Sequence, residues 1–114
     1  MAIQVSLDPT ANPPVTVQPP IHSVNNGNET IKWEPAANQD FTFDSLSFKD
    51  NPSCFGVPSI AAGEIKVTDS NQNTGPEIEY PYTIVVKAAN GQTYSSRKTK
   101  NPGGDDGSPT IRNK

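Results

Sequence analysis

One cysteine, one histidine, one methionine and one tryptophan among 114 residues leave few of the groups that common protein chemistries need. Cys54 has no second cysteine to bridge to, so packing alone must hold the chain together. His22 as the sole histidine excludes a cupredoxin-type copper site, which takes two histidines and a cysteine, and removes His-rich and Cys-rich zinc sites. Met1 as the sole methionine argues against a Met-rich adaptable surface. No apolar run approaches the roughly 18 residues of a membrane span. The opening Met-Ala-Ile-Gln-Val-Ser-Leu-Asp-Pro-Thr lacks the basic start and long apolar stretch of a secretory signal peptide, so a cytoplasmic setting is expected. Gly-x-Ser-x-Gly, Gly-x-Gly-x-x-Gly and phosphate-loop patterns are also missing, and no cofactor is expected.

What is present is turn-rich and only thinly apolar. Hydrophobic residues make up 32% of the chain, and twelve prolines with eight glycines occupy 20 of 114 positions. That share stays below the roughly 25–30% typical of disordered Pro/Gly-rich chains, so a folded domain is expected. The net charge of −3 is unevenly spread. Residues 1–86 hold ten acids and three bases, and residues 87–114 hold six bases and two acids. The basic cluster Arg97-Lys98-Thr99-Lys100 has only Tyr94 as a nearby aromatic, and the acidic whole-chain balance speaks against nucleic acid as a partner.

Apolar residues recur with period two. Ile3, Val5 and Leu7 alternate with polar residues, as do Val15 and Val17, Ile31 and Trp33, and Ile65 and Val67. The longest run sets Ile78, Tyr80, Tyr82, Ile84 and Val86 on one face. Prolines at regular intervals leave no room for a long helix. The pattern predicts an all-β fold: a two-sheet antiparallel β-sandwich of seven to nine short strands, immunoglobulin-like with Greek-key connections, forming a single domain over 1–114. Residues 101–108 read as a flexible Gly/Asp loop, and 109–114 as a short terminal strand and tail that buries Ile111.

Two places predict finer geometry. In Phe41-Thr42-Phe43-Asp44-Ser45-Leu46-Ser47-Phe48 the apolar positions switch from odd to even, which requires a bulge or turn at Asp44-Ser45. In Lys87 to Tyr94, a three-residue loop with Gly91 left-handed would pair Val86 with Tyr94 and keep the tyrosine inside, whereas a two-residue Asn-Gly loop would put it outside. Burying the ring is worth about 1–2 kcal/mol by area, which favours the longer loop.

Leu7-Asp8-Pro9, the strand Ile31-Lys32-Trp33-Glu34-Pro35 and the late Tyr80-Pro81-Tyr82-Thr83-Ile84 run together resemble the DP-EP family of small bacterial β-sandwich proteins. The resemblance spans nearly the whole chain. It implies a compact bacterial β-domain with no assigned activity, and it supplies no catalytic residues. The terminal strand opens with Ser108-Pro109 where a second Asp-Pro would fit the pattern.

The candidate chemical sites are sparse. Cys54 and His22 would suit a nucleophile pair if the fold joined them, although a lone cysteine beside Phe55 is more often a small buried hydrophobe. Glu77 and Glu79 sit roughly 7 Å apart on one strand face, within glycosidase range, but carboxylates on a wet face usually serve solubility. Asp69, Asn71 and Asn73 place oxygens at positions one, three and five of a possible calcium loop. Its glycine falls at position seven, and Tyr80 stands where a chelating glutamate would. Asn and Asp clusters also serve ordinary turns. Trp33, Tyr80, Tyr82 and Tyr94 would be the platform of a carbohydrate-binding module, yet all four fall on faces assigned to the core. The expected role is therefore a non-catalytic structural or protein-interaction module, with a protein partner or self-association through strand edges. Binding of a carbohydrate or other ligand through exposed aromatics is the alternative.

Overall fold

A computed structural model describes residues 2–11, 13–49, 52–61, 63–96 and 109–114. The basic cluster at 97–100 and the glycine-rich stretch at 101–108 lie outside the described residues. Ten strands are described: β1 (Ile3–Leu7), β2 (Val15–Gln18), β3 (Ile21–Val24), β4 (Gly27–Pro35), β5 (Phe41–Phe48), β6 (Ser59–Ala61), β7 (Glu64–Asn71), β8 (Ile78–Ala88), β9 (Thr93–Ser95) and β10 (Thr110–Asn113). The fold is all-β. Two sheets pack face to face, one in the order β2-β1-β4-β7-β6 and the other in the order β3-β10-β8-β5, with β9 also on β8.

The expectation of purely antiparallel sheets needs correction. β1 runs parallel to β4, with Ile3 beside Trp33, and β3 runs parallel to β10, with Val24 beside Asn113. Both sheets are mixed. Ten strands also exceed the expected seven to nine, because β3 and the three-residue β6 carry little apolar alternation.

Alternation explains the core. Ile3 and Val5, Ile31 and Trp33, Ile65 and Val67, and Tyr82, Ile84 and Val86 all point inward and are buried. Parity changes within β5, where Phe43 pairs with Val86 and Ser45 with Val85, so Asp44 is the extra residue of a bulge. The bulge lets Phe41, Phe43, Leu46 and Phe48 all face the core. The β8–β9 hairpin pairs Val86 with Tyr94 around a loop in which Gly91 has φ +88°. The longer loop is the one formed, and Tyr94 packs partly buried against the core.

β9 and β10 share one side of β8. Ile84 C=O accepts from Ser96 N at 2.9 Å, and Tyr82 N donates to Pro109 O at 2.9 Å. Backbone groups two residues apart in a strand point the same way, so Ser96 and Pro109 occupy the same flank. Ser96 and Pro109 thus meet this flank of β8 two residues apart, at Ile84 and Tyr82. The outer face of the first sheet is laced by Lys32, which contacts Glu64 at 3.1 Å and Glu34 at 3.7 Å.

Candidate functional site

The four aromatics proposed as a sugar platform have separate fates. Trp33 is fully buried and donates from Nε1 to the Tyr82 hydroxyl at 3.0 Å, with the rings edge-on at 5.3 Å. Tyr82 is buried too, and desolvation pushes its phenol well above the ordinary value. Neither ring offers a face to a ligand. Tyr94 is half-buried and donates its hydroxyl to Gln92 Oε1 at 2.8 Å. Tyr80 lines a surface cleft, packed edge-on against Phe55 at 5.2 Å.

The polar candidates are similarly committed. Glu79 takes Arg112 Nη2 at 2.7 Å, and Glu77 lies 3.4 Å from Arg112 Nε, so the two glutamates form an exposed ion-pair cluster on the outer face of β8 and β10. His22 Nε2 meets Glu29 Oε2 at 2.6 Å, and Cys54 is not its partner. Asn71 Oδ1 accepts from Asn73 N at 2.9 Å, and Asn73 Oδ1 accepts from Gly75 N at 3.1 Å. The oxygens of the supposed calcium loop therefore stabilise their own turn. Among the described residues no cluster of three or more His, Cys, Asp or Glu side chains is arranged to hold a metal ion.

Asp69 and Asn71 are instead part of a buried polar seam between the sheets. Ile65, Val67, Asp69 and Asn71 all face inward from β7, and all are buried. Asp69 Oδ1 accepts from Asn113 Nδ2 at 3.2 Å, and the same amide nitrogen lies 3.7 Å from Cys54 Sγ. Asn71 Nδ2 donates to Val24 O at 2.9 Å and to Lys114 O at 3.2 Å, tying β3 and β10 to the first sheet. Burial raises the Asp69 carboxyl above its usual range. Burial pushes up the Cys54 thiol. A cleft of about 270 Å³ opens over this seam, lined by Cys54, Asn71, Ile78, Tyr80 and Asn113 among others. Sequence reasoning missed the seam, although the alternation of β7 carries straight from Val67 to Asp69.

A second feature lies along β5, which pairs only with β8 among the described residues. Lys49 N donates to Pro81 O at 3.0 Å, so the odd-numbered backbone groups after the bulge face β8. Leu46 and Phe48 stand opposite Ile84 and Tyr82, whose own backbone groups turn to the other flank. The N–H and C=O groups of Leu46 and Phe48 therefore point to the free edge. Against that edge runs a groove of about 340 Å³, lined by Leu46, Ser47, Phe48, Pro52, Phe55 and Pro58. Leu46 and Phe48 point inward while Ser47 points outward, so a groove touching all three must lie on the strand edge. Phe48 and Phe55 stack at 3.8 Å to form its apolar floor, and Val57 beside it is 92% exposed.

The other edge strands are short over their whole length. β2 has four residues between Pro14 and Pro19, β3 has four after Pro20, and β6 has three. Short strands and flanking prolines are common protections against edge pairing. Comparison of the chain with protein-family models returned no matching family, and a search of curated proteins returned no match.

Proposed function

We propose that this domain is a non-catalytic interaction module that receives an extended segment of a partner protein along the free edge of β5. The observation that carries the reading is the outward-facing backbone of Leu46 and Phe48 beside an apolar groove. Main-chain hydrogen bonds would supply affinity there, and the groove would select side chains. The bulge at Asp44 interrupts the edge and leaves Ser45–Phe48 as its regular part, too short for two β5 strands to pair extensively with each other. A partner segment therefore suits the edge better than a second copy. The Cys54 thiol, pushed up by burial, and the engagement of His22 by Glu29 favour a binding role over nucleophilic catalysis.

The same reading includes an immunoglobulin-like Greek-key topology. Its support is the strand order: β4 and β7 pair in one sheet, β5 and β8 pair in the other, and a parallel β3–β10 pair closes the second sheet. The β1–β2 hairpin is then an addition at the edge of the first sheet. Membership of the bacterial DP-EP family belongs to the proposal as well. Asp8-Pro9 follows β1 and Glu34-Pro35 ends its parallel neighbour β4, so both dipeptides terminate paired strands at one end of the sheet. A cytoplasmic setting fits a chain whose single cysteine has no internal partner.

The test is a displayed library of short extended peptides, with the amide resonances of the full chain as the map. Selected peptides should shift and protect the Leu46 and Phe48 amides. A library without binders, or binders that map away from β5, overturns the reading. Protection of those amides that rises with protein concentration alone would make the occupant a second copy.

A further inference from the structure

Two buried side-chain oxygens among the described residues have no hydrogen-bond partner: Asp69 Oδ2 and Asn113 Oδ1. They belong to two groups already joined by the bond from Asn113 Nδ2 to Asp69 Oδ1. An ionised carboxylate is an acceptor only, so it cannot donate to the Asn113 amide oxygen. A neutral carboxylic acid has a proton to give. Its O–H from Oδ2 to Asn113 Oδ1 would satisfy both orphans at once and complete a cyclic acid–amide pair.

Burial, the largest influence on Asp69, and nearby Glu29 favour the neutral acid, against the bonds with Asn113 and Cys54 and the nearby His22, which favour the carboxylate. Glu29 is its register partner on β4, so the two acids share one face of the first sheet. Facing them from β3, His22 is bonded to Glu29. Cys54 from the segment before β6 and Tyr80 from β8 present weak acids, each raised chiefly by burial. Asn113 on β10 is uncharged, and no ion pair among the described residues includes Asp69. Asp69 is fully buried, and desolvation drives its carboxyl toward the neutral form. A metal ion is the other device that could satisfy both oxygens, but no third acidic, thiol or imidazole ligand converges with them.

We propose that Asp69 is held as the neutral acid, ring-bonded to Asn113, and that its ionisation releases a clasp between β7 and the β3–β10 ribbon. Asn71, two residues along β7, holds the same ribbon through Val24 O and Lys114 O, so β7 grips both of its strands from below. Loss of the proton leaves the Asn113 Nδ2 bond to Asp69 Oδ1 but sets Asp69 Oδ2 against Asn113 Oδ1, acceptor against acceptor, and leaves a charge in the seam. For an acid retained in its neutral form, the contribution to stability is complete below the ordinary Asp value of about 3.9 and is lost as pH rises to the folded-state value. Within that window each pH unit costs about tenfold in the folding constant, and above it the loss is constant.

Asp69→Asn tests this, because a second amide forms the same ring with no proton to lose. Denaturant unfolding of the full chain should show the variant at least as stable as the wild type at neutral pH. Its excess over the wild type should grow about tenfold per unit through the window. At matched pH above the window, the Ile111 and Arg112 amides should exchange faster in the wild type than in the variant. A variant weaker than the wild type at neutral pH, with the wild type losing stability on acidification relative to it, overturns the proposal. Carbon-13 titration of the Asp69 carboxyl in the wild type decides the matter even if the variant fails to fold. A midpoint above the ordinary Asp value supports the neutral acid, and one at or below it refutes it. A melting temperature raised by millimolar calcium in the wild type but not in the variant would assign the two oxygens to a cation instead.

Discussion

The centre of the sandwich and its polar seam are buried to the same degree by the same strands, yet they are held by different forces. β7 contributes Ile65 and Val67 to the centre and then Asp69 and Asn71 to the seam. β10 contributes Ile111 to the centre and Asn113 to the seam. At the centre the Trp33 indole is satisfied by Tyr82, and the surrounding packing is apolar. At the seam the side chains carry the strand termini by hydrogen bonds, and two oxygens depend on one proton for satisfaction. Alternation determines what is inside, and residue chemistry determines whether the inside responds to pH.

The sharpest way to break this comparison is at its apolar end. Trp33→Ala removes the largest buried side chain and strands the Tyr82 hydroxyl, so it should cost ~3–5 kcal/mol in urea unfolding. A loss below about 1 kcal/mol would mean that the ring is not the packing centre. At the seam, Asn71→Ala removes donors from Val24 O and Lys114 O and the acceptor for Asn73 N. That should cost about 2–3 kcal/mol, less than the tryptophan because water can reach part of the vacated site. The two variants should also differ in where they loosen the fold. Hydrogen exchange in Asn71→Ala should rise first in β3 and β10, whereas Trp33→Ala should raise it across both sheets. Equal loosening everywhere in both would erase the distinction between the regions.

Much of the centre was legible in the sequence because side-chain alternation reports directly on faces. Ile31 with Trp33, Ile65 with Val67, and Tyr82 through Val86 were readable as core from period alone. The parity change around Asp44 revealed the bulge, and the burial of Tyr94 selected the hairpin register. Strand direction was not legible. Period two says which face a residue takes but nothing about which strand lies beside it, so the parallel pairs β1–β4 and β3–β10 were read as antiparallel. The seam was missed for a different reason. Asp69-Ser70-Asn71-Gln72-Asn73-Thr74-Gly75 has the composition of a turn, and turn chemistry outweighed the inward phase inherited from Val67. The turn does form at Asn73 and Gly75, but the first three residues remain strand. The β5 edge escaped notice because an unpaired flank is a property of the sheet, not of any strand in it.

The smallest effect expected here also provides the control for the largest claim. Gly91 has φ +88° in the β8–β9 loop, and a Cβ added there would meet no atom within 4 Å. Gly91→Ala therefore tests backbone conformation alone, and it should cost about 1 kcal/mol. β8 extends from Tyr80 in the seam to Ala88 at this loop, a separation of roughly 27 Å at strand rise. A loss introduced at the far end of β8 should leave the Asp69–Asn113 contact untouched. Gly91→Ala should then reproduce the wild-type pH dependence at a uniformly lower stability, whereas Asp69→Asn alters the shape of that dependence. If Gly91→Ala changed the shape as well, the pH response would belong to the whole domain and not to the clasp.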